Sequence, residues 1–96
     1  MPKDLLLKPV RVDLELTNAM GLHARPASMF VRTASKYDAD VFVEKDGERV
    51  VGKSMMGLMM LAAGQGARLQ VEACGRDADK VLSELQTLVV NKFGEM

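Results

Sequence analysis

The chain has 96 residues, enough for one small domain around a single core. Thirteen Lys and Arg balance thirteen Asp and Glu, so net charge gives no support to a nucleic-acid or anionic-membrane partner. No run nears the roughly 20 apolar residues of a spanning helix, Leu5-Leu6-Leu7 is too short for a signal peptide, and the one cysteine, Cys74, rules out an internal disulfide or a zinc cluster. A reducing cytoplasm is the expected compartment, with no membrane insertion.

Met1 to Lys8 read as an N-terminal extension, frayed or lightly packed, with residues 9–96 as one domain. Val10, Val12, Leu14 and Leu16 alternate with Arg11, Asp13, Glu15 and Thr17, the pattern of a half-buried strand. The period then changes. Ala27, Phe30, Val31 and Ala34 fall on one face of a helix from about Ala24 to Lys36. Val41 and Val43 restart a strand, Asp46-Gly47 predicts a two-residue hairpin, and the return strand covers about Glu48 to Gly52. Ser54 is suited to cap a short helix over Met55-Met56-Gly57-Leu58-Met59-Met60-Leu61. Gly64-Gln65-Gly66 reads as a turn and is wrongly placed for a nucleotide loop. Leu69, Val71 and Ala73 give a fourth strand, with Cys74 as a partly exposed thiol. A last helix carries Ala78, Val81, Leu82, Leu85, Leu88 and Val89 behind an Asp77 cap. The order β-α-β-β-α-β-α predicts an α+β open-faced sandwich: a mainly antiparallel four-stranded sheet with three helices on one face.

The chemistry concentrates in Gly21-Leu22-His23-Ala24-Arg25-Pro26-Ala27-Ser28, which holds the chain's one histidine where strand gives way to helix. Neutral imidazole is a nucleophile at physiological pH. The first N–H groups of a helix, here those of Ala24 and Arg25, have no intrahelical acceptor and attract an anion. The Arg25 guanidinium is a permanent planar fork suited to phosphate, and Pro26 fixes φ within the first turn. Together these are the parts needed to accept a phosphoryl group and hold it briefly, with His23 exposed as the acceptor.

This motif, followed by Lys53-Ser54-Met55-Met56-Gly57-Leu58-Met59, resembles the histidine-containing phosphocarriers, the HPr family of the bacterial phosphotransferase system. The likeness runs from about Val10 to the C-terminus. The resemblance implies sheet order 1-4-2-3 and a carrier that takes phosphoryl groups from Enzyme I, charged by phosphoenolpyruvate, and gives them to a IIA protein or domain. It implies phosphorylation on Nδ1 of His23, an atom the sequence by itself does not select. It aligns Ser54 with the serine modified by HPr kinase/phosphorylase in many bacteria, and places Met55, Met56 and Met59 in a partner-docking surface. Methionine suits such a surface because it is flexible and polarizable. Core filling is an equal alternative for Met59 and Met60, whereas Leu58 and Leu61 are the stronger core candidates.

No cofactor is expected, nor a resident metal, and without a lysine-bearing P-loop the chain should not use ATP itself. It should act as a monomeric carrier and not as an enzyme with its own turnover. Arg32, Lys36, Lys53 and Arg68 read as solvated surface charge. The competing class is a regulatory binding module, in which Ser54 phosphorylation or the Met surface controls another protein and sugar transport is not the main role. The intact His23/Arg25 pair favours the carrier.

Overall fold

The computed structural model describes residues 8–95. Residues 1–7, nearly all of the expected extension, and Met96 lie outside the described residues. Strands β1 (Val10–Glu15), β2 (Asp40–Lys45), β3 (Glu48–Val51) and β4 (Arg68–Cys74) alternate with helices α1 (Ala24–Ser35), α2 (Met55–Met60) and α3 (Ala78–Val90) in the expected order. The strands form one sheet ordered β1-β4-β2-β3, every neighbouring pair antiparallel. Asp46 and Gly47 both take positive φ between β2 and β3, as a tight two-residue hairpin demands.

Strand alternation sends Leu14, Val41, Val43, Leu69, Val71 and Ala73 to one face, where they meet Ala27, Phe30 and Ala34 of α1 and Val81, Leu85 and Val89 of α3. Each large side chain buried there contributes about 1.5–3 kcal/mol of transfer free energy. The opposite face is polar. On it Glu72 of β4 accepts from Arg11 of β1 at 2.9 Å and from Arg49 of β3 at 2.8 Å, while Arg49 stacks on Phe42 of β2. One carboxylate and one aromatic ring thereby link all four strands. Both hydrogen bonds hold the Glu72 carboxyl below its ordinary range, the one from Arg49 more strongly.

Two local expectations need correction. Asp77 occupies the N-cap position of α3, but its side chain does not cap the helix. The carboxylate instead accepts from the Asp38 N–H at 2.9 Å, and the Asp77 N–H donates to the Asp38 carbonyl at 3.0 Å. The pairing of two loops has taken the side chain that a cap would use. The even choice for Met59 and Met60 also resolves: both are exposed, at 45% and 65%. A six-residue helix offers the core one narrow row, and Leu58 with the following Leu61 fills it.

Candidate functional site

The loop from β1 to α1 is shaped by one glycine. Gly21 has φ +64°, and a Cβ there would lie 2.3 Å from the Ala63 carbonyl oxygen and 2.6 Å from the Gly64 Cα. Only glycine allows this approach. The next residue, Leu22, is buried and donates its N–H to that same Ala63 carbonyl at 2.8 Å. The segment after α2 is thus pinned against the residues that lead into His23.

His23 is the N-cap of α1, extended at φ −80° and ψ −171°, with its side chain making no cap hydrogen bond. Its carbonyl accepts the first intrahelical bond from the Ala27 N–H at 2.9 Å. Ala24 and Arg25 therefore occupy the first two helical positions, where backbone N–H groups have no intrahelical acceptor. Pro26, third, contributes no N–H and is buried with Ala27 on the core side. Both Ala24 and Arg25 are exposed. The helix start thus presents two N–H groups and one guanidinium beside the imidazole, a setting that favours an anion.

The imidazole is not fully exposed. Its side chain is 34% accessible, because Glu95 covers one edge: Nε2 lies 3.0 Å from Oε2 and 3.2 Å from Oε1. The hydrogen bond from His23 lowers the Glu95 carboxyl below the usual carboxylate range against the opposing effect of burial; Asn18 and the Arg25 charge lower it further. Glu95 and Asn18 are site residues that sequence reasoning missed. Asn18 had a faint signal as an asparagine three residues before a glycine. Glu95 had none, since only the fold brings the end of α3 back to the histidine loop.

Ser54 is the N-cap of α2, and its Oγ accepts from the Gly57 N–H at 3.0 Å. The adjoining Lys53 is committed elsewhere, donating to the Tyr37 carbonyl at 3.2 Å. Met55, Met56, Met59 and Met60 are all exposed, Met56 most at 75%. Because α2 packs on α1 and its exit is bonded to Leu22, this surface belongs to the same end of the molecule as His23. Met20, three residues before His23, is also exposed and was not anticipated.

Among the described residues no three His, Cys, Asp or Glu side chains are grouped to hold a metal ion, and no helix is long and apolar enough to cross a membrane. Cys74 is half-buried on β4, on the polar phase of its strand.

Residues 10–91 match the family model described as the PTS HPr component phosphorylation site. The phosphocarrier protein HPr of Neisseria meningitidis serogroup A is 42% identical over 86 residues, which cover 90% of this chain and 97% of that protein. The HPr-like protein Crh of Bacillus subtilis is also 42% identical, over 83% of this chain and 94% of its own length. Among solved structures, an HPr from Thermoanaerobacter tengcongensis superposes with a TM-score of 0.88 at 44% identity, covering 91% of this chain and 98% of that one.

Proposed function

The chain belongs to the HPr family of phosphocarriers, and on that premise we propose that His23 accepts a phosphoryl group from phosphorylated Enzyme I and passes it to a IIA protein or domain. The observation that carries this reading is the placement of a partly exposed imidazole at the open start of α1, beside Arg25 and two uncommitted helix positions. An imidazole forms a phosphoramidate that is a good donor, because the ring leaves readily. The helix start and Arg25 stabilise the added charge without enclosing it. A carrier needs that restraint, since a cage would hold the group against the next acceptor. Catalysis is shared with the partners, and the chain acts as the phosphorylated intermediate.

Met55, Met56 and Met59 supply adaptable apolar contact for successive partners. Weak, fast-exchanging complexes suit a relay, which must release each partner before meeting the next. Ser54 carries a second assignment, as a site for HPr kinase/phosphorylase. A phosphate on its Oγ would sit at a helix start, where negative charge is accommodated, yet would oppose the approach of an anionic phosphorylated donor. The likeness to a solved structure described as Crh, the Bacillus subtilis catabolite repression HPr, supports a regulatory module as the alternative; the presence of His23 supports the carrier.

Intact mass after incubation with active Enzyme I and phosphoenolpyruvate tests the reading. One acid-labile phosphoryl group is expected, lost in His23→Ala with the circular-dichroism spectrum unchanged. Equal labelling of the variant would overturn the assignment of His23.

A further inference from the structure

We propose that Asn18 and Glu95 are positioning residues that hold His23 with its proton on Nε2 and so reserve Nδ1 for the phosphoryl group, an inference that rests on the carrier reading above.

The carboxylate is delivered by an unusual piece of chain. After α3 the backbone makes one further turn, Lys92–Gly94, in which Lys92, Phe93 and Gly94 have φ of +55°, +55° and +74°. Non-glycine residues with positive φ are uncommon, and two occur here in succession. Phe93 is buried at 2% exposure, so the turn is anchored in the core, and the Glu95 N–H closes it by donating to the Lys92 carbonyl at 2.8 Å. The path returns Glu95 to the histidine.

Asn18 fixes the carboxylate from the other side. Its side chain is fully buried, and Nδ2 donates to the Gly21 carbonyl at 2.7 Å and to Glu95 Oε1 at 3.0 Å. Its own Oδ1 is buried without a hydrogen-bond partner among the described residues. Turning the amide over would set Oδ1 against two acceptors, a carbonyl and a carboxylate. The observed orientation is thus fixed by the two acceptors it serves, the Gly21 carbonyl and the Glu95 carboxylate, and it holds the carboxylate in place at the expense of one unpartnered oxygen.

The consequence for the ring follows from donor and acceptor counting. A carboxylate can only accept, so the nitrogen facing it must carry the hydrogen. Neutral His23 is then protonated on Nε2, and the Nδ1 lone pair is the nucleophile. In the transfer this pair forms the N–P bond while the bond between phosphorus and the donor's leaving atom breaks, its electrons leaving with the donor. The Nε2 proton stays in place, and the positive charge that develops on the ring is balanced by Glu95. When an acceptor takes the phosphoryl group, the pair returns to Nδ1.

The test uses the full chain and Glu95→Ala, with potassium phosphoramidate as a donor that needs no partner protein. The tautomer of unlabelled His23 is read from its 15N shifts, and the labelled nitrogen from 31P–15N couplings. The wild type is expected to show Nε2–H and label on Nδ1. Glu95→Ala should lower the Nδ1-to-Nε2 ratio about tenfold, the factor carried by one charge-assisted hydrogen bond. Asn18→Ala, if folded by circular dichroism, should shift the ratio the same way by a smaller factor. An unchanged ratio and tautomer in Glu95→Ala, or wild-type label on Nε2, would overturn the proposal. Wild-type protein labelled on Nδ1 by phosphoramidate but not by active cognate Enzyme I would instead defeat the carrier reading and leave the positioning intact.

Discussion

Two helix starts lie at the same end of this molecule, and they are finished in opposite ways. At α2 the Ser54 Oγ accepts the Gly57 N–H, so the cap and the donor satisfy each other. At α1 the N-cap is His23, whose ring turns away to Glu95 and leaves the helix uncapped. Position three, which a cap would serve in each helix, is Gly57 in one and Pro26, with no N–H, in the other. The first start is closed by a hydroxyl turned into the helix; the second is open, its cap side chain turned away and its third position without an N–H. The first two N–H groups lack an intrahelical acceptor in both helices, so what sets the second start apart is the room a capping side chain would fill, with Arg25 at its second position.

The largest way to break this contrast is Gly21→Ala. The added methyl would need φ +64° and would collide with the Ala63 and Gly64 backbone. A loss of about 3 kcal/mol or more is expected, lowering Tm by over about 10 °C and reducing phosphoryl acceptance with it. Thermal denaturation and the mass assay read the two effects. Arg25→Ala tests the open start directly. It should leave Tm nearly unchanged and cut kcat/KM for transfer from Enzyme I by about 10- to 100-fold, the range of one or two charge-assisted contacts. Equal kinetics would remove Arg25 from the site. Ser54→Ala opens the closed start at a cost of about 1 kcal/mol, seen as a fall in urea midpoint without loss of His23 labelling.

The smallest expected effect serves as the control, because Glu72 lies on the helix-free face of the sheet. Its carboxyl is held below the ordinary value of 4.5 by Arg49 and Arg11, so its stabilising contribution is present above that value. The contribution disappears as pH falls through the folded-state pKa. Glu72→Gln should therefore lower Tm slightly at pH 7, the gap closing in acid, with transfer kinetics unaltered. A change in transfer would show that the two faces are coupled.

The elements were legible because their signals are local. Alternation in Val10–Leu16, the helical spacing of Ala27, Phe30 and Ala34, and Asp46-Gly47 each state a conformation within a few residues. The strand order was legible through resemblance alone, since β1 pairs with β4 across half the chain. Ser54 was readable as a cap for the same local reason, and Asp77 was misread because a distant N–H, that of Asp38, claimed its carboxylate. The His23 motif was visible as a cluster of chemistry at a period change. Its partner Glu95 was not, because the contact depends on a left-handed turn anchored by Phe93, and nothing in Lys92-Phe93-Gly94 announces positive φ at the first two positions. The exposed methionines show the same limit: apolar residues in a short helix do not declare which of them the core will leave out.

The register of β1 carries a consequence in time. This strand leads directly into the histidine loop and sits at the edge of the sheet, where its partner is β4, with Val10 opposite Ala73 and Glu15 opposite Arg68. Contacts between such separated segments must first overcome the entropy of closing the intervening chain. During synthesis α1 can form early, but the strand that orients its entrance has no neighbour until β4 has emerged. The end of the molecule that carries His23 is therefore encoded well before β4, the strand whose arrival gives β1 its place in the sheet.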